Sequence, residues 1–154
     1  MVKIEELKRI SSQVRRDIVR MVTCAKSGHP GGSMSSADFL TALYFGVMNH
    51  NPKQWTRDGK GSDIFILSAG HLTPVYYSIL ARAGYFPVSE LATFRQFGSR
   101  LQGHPCIEKG LPGIFQASGS LGQGLSAAAG AALGKKLDKE DNLVYVMMGH
   151  GECE

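Results

Sequence analysis

Four of the five histidines in this chain directly follow a glycine: His29 in SGHPGG, His71 in AGHLTP, His104 in QGHPC and His150 in GHGE. Glycine makes up 19 of 154 residues, so chance would place it before fewer than one of the five. Each of the four falls in a predicted turn or at a predicted strand end. Imidazole changes charge near neutral pH, so it suits proton transfer and hydrogen bonding to hydroxyl or phosphate oxygens. A lone histidine is usually structural or exposed. Four in one context point instead to a shared imidazole-lined pocket.

The second chemical signal is the glycine-rich stretch 118–151. It reads as a glycine turn, a small-residue helix, a short charged loop, an apolar strand and a second glycine turn. In an α/β protein both turns lie at element ends, where ligands bind. Neither turn is a dinucleotide fingerprint, which needs GxGxxG after a strand and opening a helix. Gly119, Gly122 and Gly124 have a different spacing, and no strand clearly precedes them. Gly149-His150-Gly151 follows the right kind of strand but lacks the third glycine. A P-loop is absent, since Gly134-Lys135 has no glycine five residues earlier. The residues alone thus reach a glycine-rich, histidine-lined, phosphate-friendly pocket and leave the reaction open.

The elements that must position these groups follow from periodicity. Ile4, Leu7, Ile10, Val14, Ile18 and Met21 recur at helical steps and predict an amphipathic helix over 3–26. SGHPGGS (27–33) reads as irregular, a loop that lets backbone approach a ligand closely. Ser35 to Asp38 resembles a capping box ahead of a second helix over 35–48. Residues 49–62 form a polar surface connection. Asp63 to Leu67 is an apolar run without alternation, which suits a strand covered on both faces. Thr73 as N-cap and Pro74 at the first helical position start a helix that Gly84 ends. Ser89 caps a short helix running to Phe97. Residues 98–119 read as one long irregular, functional stretch. In the helix over 121–137, Gly122, Ser126, Gly130 and Gly134 recur every four residues, and tight helix packing is the preferred reading of that stripe. Leu143 to Met148 is a second buried parallel strand. Two such strands joined through helices imply right-handed crossovers and an α/β layered fold.

Composition narrows the class. The length allows one domain with a sizeable core and no internal boundary. Formal charge is +4, but the basic residues are scattered, which argues against nucleic-acid binding. Three distant cysteines without CxxC argue for a reducing compartment and against a zinc site or disulfide framework. Residues 110–134 carry no charge, yet Pro112, Gln116 and Gln123 make them too polar and broken for a membrane span. The start, MVKIEELKRI, reads as a helix and not a signal peptide. A soluble cytoplasmic protein is expected.

Five segments, in order, resemble the N-terminal part of transketolases: SGHPGGSMSSADFLTALYF, LSAGHLTPVYYSIL, FRQFGSRLQGHP, SGSLGQGLSAAAGAALGKK and VYVMMGHGE. The resemblance covers essentially the whole chain and is nearest to the bacterial split type, whose N-terminal half is a separate subunit. It implies part of a thiamin diphosphate-binding α/β fold, a parallel sheet flanked by helices and incomplete in this chain. It implies transfer of a two-carbon ketol unit between sugar phosphates, in the pentose phosphate pathway, with thiamin diphosphate as carbanion carrier. By motif, His29 would face the substrate and assist proton movement, and His104 would hydrogen-bond substrate hydroxyls. His71 would contact the cofactor diphosphate. Gly119, Ser120 and Leu121 would contact the cofactor through backbone groups at a helix start, and Gly151 would lie beside the diphosphate. The implied partners are phosphosugar substrates, a second copy in a homodimer, and a C-terminal transketolase subunit.

One position departs from the pattern. The family's strand ends in GDGE, and its aspartate holds the Mg²⁺ (or Ca²⁺) that bridges the diphosphate. His150 stands there instead, an imidazole where a hard ion wants oxygen. The family's second metal-ligand segment and its second domain are expected to lie outside these residues. Two readings therefore stand side by side: the N-terminal piece of a transketolase whose function belongs to the complete protein, or a non-catalytic fragment or interaction module with impaired metal binding. A softer metal such as Zn²⁺ on His150 is the least favoured reading, because no other nitrogen or sulfur ligand has suitable spacing.

Overall fold

The computed structural model describes residues 2–154. Its α-helices are α1 (Ile4–Ala25), α2 (Pro30–Ser35), α3 (Ala37–Ala42), α4 (Thr73–Ala83) and α5 (Gln123–Leu137). Two strands, β1 (Ile64–Leu67) and β2 (Val144–Met147), pair in parallel with Ile64 opposite Val144 and Leu67 opposite Met147. This is part of an α/β fold, as expected from the two apolar runs.

The main core lies between α1, α4 and one face of the sheet. Val14, Ile18 and Met21 of α1 are buried there, as their spacing predicts. Phe65, Tyr76 and Tyr44 pack edge to face or tilted, with Phe65 and Tyr76 centroids 5.2 Å apart. Ile64 and Ile66 point to the opposite face and pack with Ala128 of α5, Val144 and Val146. β1 is therefore covered on both faces, which explains its lack of alternation. β2 is only half-buried throughout, which corrects the expectation of a second fully buried strand. It has β1 on one side and no second strand neighbour among the described residues.

α4 is the central organiser. Residues 73–81 are all buried, and its polar side chains hold other segments. Asp17 of α1 accepts from Ser78 Oγ at 2.8 Å and from two guanidinium nitrogens of Arg82. That pairing satisfies a carboxylate that is 4% exposed. Thr73 Oγ1 donates to Gly103 O at 2.9 Å, Tyr76 OH to Gly113 O at 2.7 Å and Tyr77 OH to Gln102 O at 3.0 Å. Three hydroxyls of one helix thus hold the long 98–119 segment. Its only regular piece is a 3-10 turn at Ile107–Lys109, while Leu101, Leu111 and Ile114 anchor it in the core.

Several local expectations need correction. Pro30–Ser35 is helical where 27–33 read as irregular. Pro30 sets the first turn, and Gly31 and Gly32 have no positive φ. Gly32 is there for packing: a Cβ would lie 2.6 Å from Leu72 Cδ2. The capping box does not form. Ser36 Oγ donates back to Gly32 O, and Asp38 turns to Arg15 and Ser11 of α1. The helix predicted over 35–48 is divided, with a π-helical turn at Leu43–Val47. Thr73 is the first residue of α4 and not its cap, because its hydroxyl is committed to Gly103. The short helix after Ser89 is a 3-10 segment, Val88–Thr93. Gly84 does end α4, at φ 94°. No helix among the described residues is long and apolar enough to cross a membrane.

The small-residue stripe of α5 also differs from expectation. A Cβ on Gly130 or Gly134 would meet nothing within 4 Å. The close approach is at Gly124, where a Cβ would lie 2.3 Å from Ser68 Cβ. The strand end therefore sets which glycine is needed, and four-residue periodicity alone does not find it.

Candidate functional site

Three of the four glycine-preceded histidines come together. His29 precedes α2 as its N-cap residue, and His71 sits in a 3-10 turn, Gly70–Leu72, just after β1. Their rings meet edge to face with centroids 5.1 Å apart. His104 comes from the long segment held by α4. Gly119 faces it, so that a Cβ there would lie 3.8 Å from His104 Cδ2. Burial pushes the His104 pKa below its ordinary value, and the nearby Arg95, His29 and His71 lower it further. The neutral form of His104 is thereby favoured, and its ring nitrogens suit hydrogen bonding.

The fourth does not join them. His150 begins a 3-10 turn, His150–Glu152, that carries its ring outward. The side chain is 93% exposed, with Nε2 3.2 Å from Glu154 Oε1. Gly151 beside it is exposed.

Gly119, Ser120 and Leu121 form an exposed lip at the start of α5. A cavity of about 230 Å³ opens there, lined by residues 116–120 with Gln123 and Gly124. Ser118 Oγ is buried and has no hydrogen-bond partner among the described residues. Gly70 touches this lip: a Cβ on it would lie 2.5 Å from Ser118 O. The His71 turn and the lip are thereby pressed together without an intervening side chain.

Sequence reasoning missed three residues here. Arg95 adopts φ 57°, unusual for a side chain of its size, and its Nη1 donates to Ser27 Oγ at 2.6 Å. The guanidinium lies against Gly103, so it ties the segment before His29 to the segment before His104. Ser68, at the end of β1, donates to Glu152 at 2.5 Å and accepts from Gly124 N at 3.1 Å. Glu152 also accepts from Gly122 N at 2.9 Å and Gly149 N at 2.6 Å. Burial works against its charge, but the Gly122 amide, the Ser68 hydroxyl and the Gly149 amide prevail and hold its pKa below the usual value. All but the Gly149–Glu152 contact join residues far apart in the chain, where no local pattern marks them.

The donor set suits a phosphorylated ligand. A helix start, an orphaned buried hydroxyl and an imidazole converge on one polar region. The same residues do not make a cation site. No group of three His, Cys, Asp or Glu able to hold a metal occurs among the described residues. His150 stands apart with Glu154, and an imidazole in that setting does not fit a hard divalent ion.

Comparison with known proteins gives the family. The family model "Transketolase, thiamine diphosphate binding domain" matches residues 7–153. The chain is 40% identical over 153 residues to an apulose-4-phosphate transketolase subunit from Phocaeicola vulgatus, covering 97% of this chain and 52% of that protein. It is 38% identical over 151 residues to mouse transketolase, covering 97% of this chain and 24% of that one. Among solved structures, Campylobacter jejuni transketolase superposes with a TM-score of 0.90 at 34% identity, over 99% of this chain and 24% of that chain. The chain belongs to the transketolase family, within its thiamine diphosphate binding domain. It spans about half the length of the Phocaeicola relative and about a quarter of the mouse one.

Proposed function

We propose that this chain supplies the cofactor-diphosphate part of a transketolase that moves a two-carbon ketol unit between sugar phosphates. The observation that carries the reading is the convergence of His29, His71 and His104 on one side of the 118–121 lip. Bound thiamin diphosphate supplies carbanion-stabilising chemistry. The chain's own residues bind, orient and move protons. The amides of Gly119, Ser120 and Leu121 at the start of α5, with Gly151, would hold the diphosphate. His71 adds a hydrogen bond to a diphosphate oxygen. His104 hydrogen-bonds substrate hydroxyls, and His29 holds or accepts a proton at a substrate oxygen.

The similarity to single subunits of two-chain transketolases supports a partner of C-terminal transketolase type. A homodimer, a Mg²⁺ ion held with residues outside this chain, and a cytoplasmic location belong to the same reading. The test is calorimetric titration of thiamin diphosphate into the complete protein with its partner subunit, followed by a ketol-transfer assay. Saturable binding that His71→Ala weakens at least about tenfold is expected, since a lost hydrogen bond to a charged group costs about 1.5–3 kcal/mol. Absence of binding by the complete protein would sink the reading.

The second reading, a non-catalytic interaction module, is favoured by one observation. β2 is half-buried, and Leu125, Leu133 and Leu137 on α5 are 49–74% exposed. A complete protein that assembles with a partner but neither binds the cofactor nor transfers ketol units would establish it.

A further inference from the structure

We infer that Glu152 is the positioning residue of the diphosphate lip, a distant acceptor that fixes the start of α5 against the turn after β2. The inference rests on the proposed function for what the lip binds, but the brace is a property of the chain itself.

The need arises from α5. Its N-cap is Gly122, at φ 85°, which has no side chain to cap the helix. The first backbone N–H groups of a helix have no partner within it and require acceptors from elsewhere. Glu152 serves this helix start, with Oε1 2.9 Å from Gly122 N. The same oxygen accepts from Ser68 Oγ at 2.5 Å, and Oε2 accepts from Gly149 N at 2.6 Å. Having given its proton to Glu152, the Ser68 hydroxyl accepts from Gly124 N at 3.1 Å. Two residues thus supply acceptors to three backbone amides on two separate glycine turns.

The brace leaves no slack. Ser68 is fully buried, and its own amide donates to Met147 O at 2.9 Å, part of the β1–β2 ladder. Gly124 is pressed onto it without room for a Cβ. Gly122 is held between this junction and the lip, so its position sets where the exposed amides of 119–121 point. Glu152 acts through Gly122 and Gly149, and its oxygens are taken up by those amides and the Ser68 hydroxyl. A carboxylate is required. Gln offers one acceptor oxygen where three donors need two, so one turn is released.

The experiment uses inorganic pyrophosphate as probe on the complete protein with its partner subunit. Wild-type protein is expected to bind pyrophosphate, and Glu152→Gln to weaken it about tenfold, the size of one lost charge-assisted hydrogen bond. A merely destabilised protein would lose active fraction and keep its pyrophosphate affinity. The Ser68→Ala/Glu152→Gln double variant is expected to be no worse than Glu152→Gln, since both remove one device. If Glu152→Gln does not fold, Ser68→Ala carries the same titration.

Amide hydrogen exchange reads the brace without any ligand. Slow exchange at Gly122 and Gly149 in wild type, with faster exchange in either variant, is expected. Unprotected Gly122 and Gly149 amides in wild type, or unchanged pyrophosphate affinity in the variants, overturn the proposal. Wild-type protein with protected amides but no affinity for pyrophosphate or thiamin diphosphate overturns the proposed function instead and leaves the brace standing.

Discussion

His29 and His71 meet edge to face, centroids 5.1 Å apart and planes 66° from parallel, although one precedes α2 and the other follows β1. The pair brings ring nitrogens from two distant segments to one place, where they can donate to or accept from the same ligand. His104 completes the group, and Arg95 adds the permanent charge beside it.

That charge gives a pH-dependent prediction. Burial first, and Arg95 second, hold the His104 pKa below 6.5. A depressed histidine pKa means that the unfolded chain binds its proton at higher pH than the folded one does. The contribution of this site to stability is therefore full above about 6.5 and declines as pH falls through that value toward the folded pKa. Arg95→Gln is expected to raise the His104 pKa toward the ordinary value while burial still holds it down. Imidazole proton chemical shifts followed against pH measure this, and an unchanged midpoint would show that Arg95 exerts no charge effect there.

Two glycines of the same helix are expected to respond oppositely to alanine. Gly124→Ala drives a methyl into Ser68 and costs about 1–3 kcal/mol, the usual range for overpacking. Gly130→Ala meets nothing within 4 Å and gains about 0.5–1 kcal/mol from reduced backbone entropy of the unfolded chain. Denaturation midpoints of the two variants decide it. A destabilised Gly130→Ala in the complete protein would reveal an element packed on that face.

His150→Asp tests the position where the family pattern carries a carboxylate. The substitution removes the contact with Glu154 and supplies a hard oxygen ligand. In the complete protein it is expected to tighten Mg²⁺-dependent thiamin diphosphate binding at least about tenfold, worth about 1.4 kcal/mol. Titrations with and without chelator give the comparison, and equal affinities for both proteins would refute a metal-ligand role at 150.

The family and the outline of the fold were legible in the residues. β1 was readable because burial on both faces removes polar positions, and Gly84 because a left-handed helix end suits glycine. The shared histidine context pointed to a common site, and three of the four histidines come together. The fourth was misplaced because a short turn sends His150 outward, and a GH dipeptide does not encode the direction of the turn that follows. The capping box at 35–38 failed for a similar reason: Asp38 finds Arg15 and Ser11 across the helix interface, which local spacing does not register.

What the sequence by itself determined is what short-range physics writes locally: helix faces, apolar strands, glycine turns and the ordered motifs that carry family membership. Only the tertiary structure decided which glycine packs, which hydroxyls hold the long segment, and that Arg95, Ser68 and Glu152 belong to the site. The reason is range. Glu152 reaches Ser68 across 84 residues and Gly122 across 30, and such contacts depend on how β1, α5 and β2 are assembled.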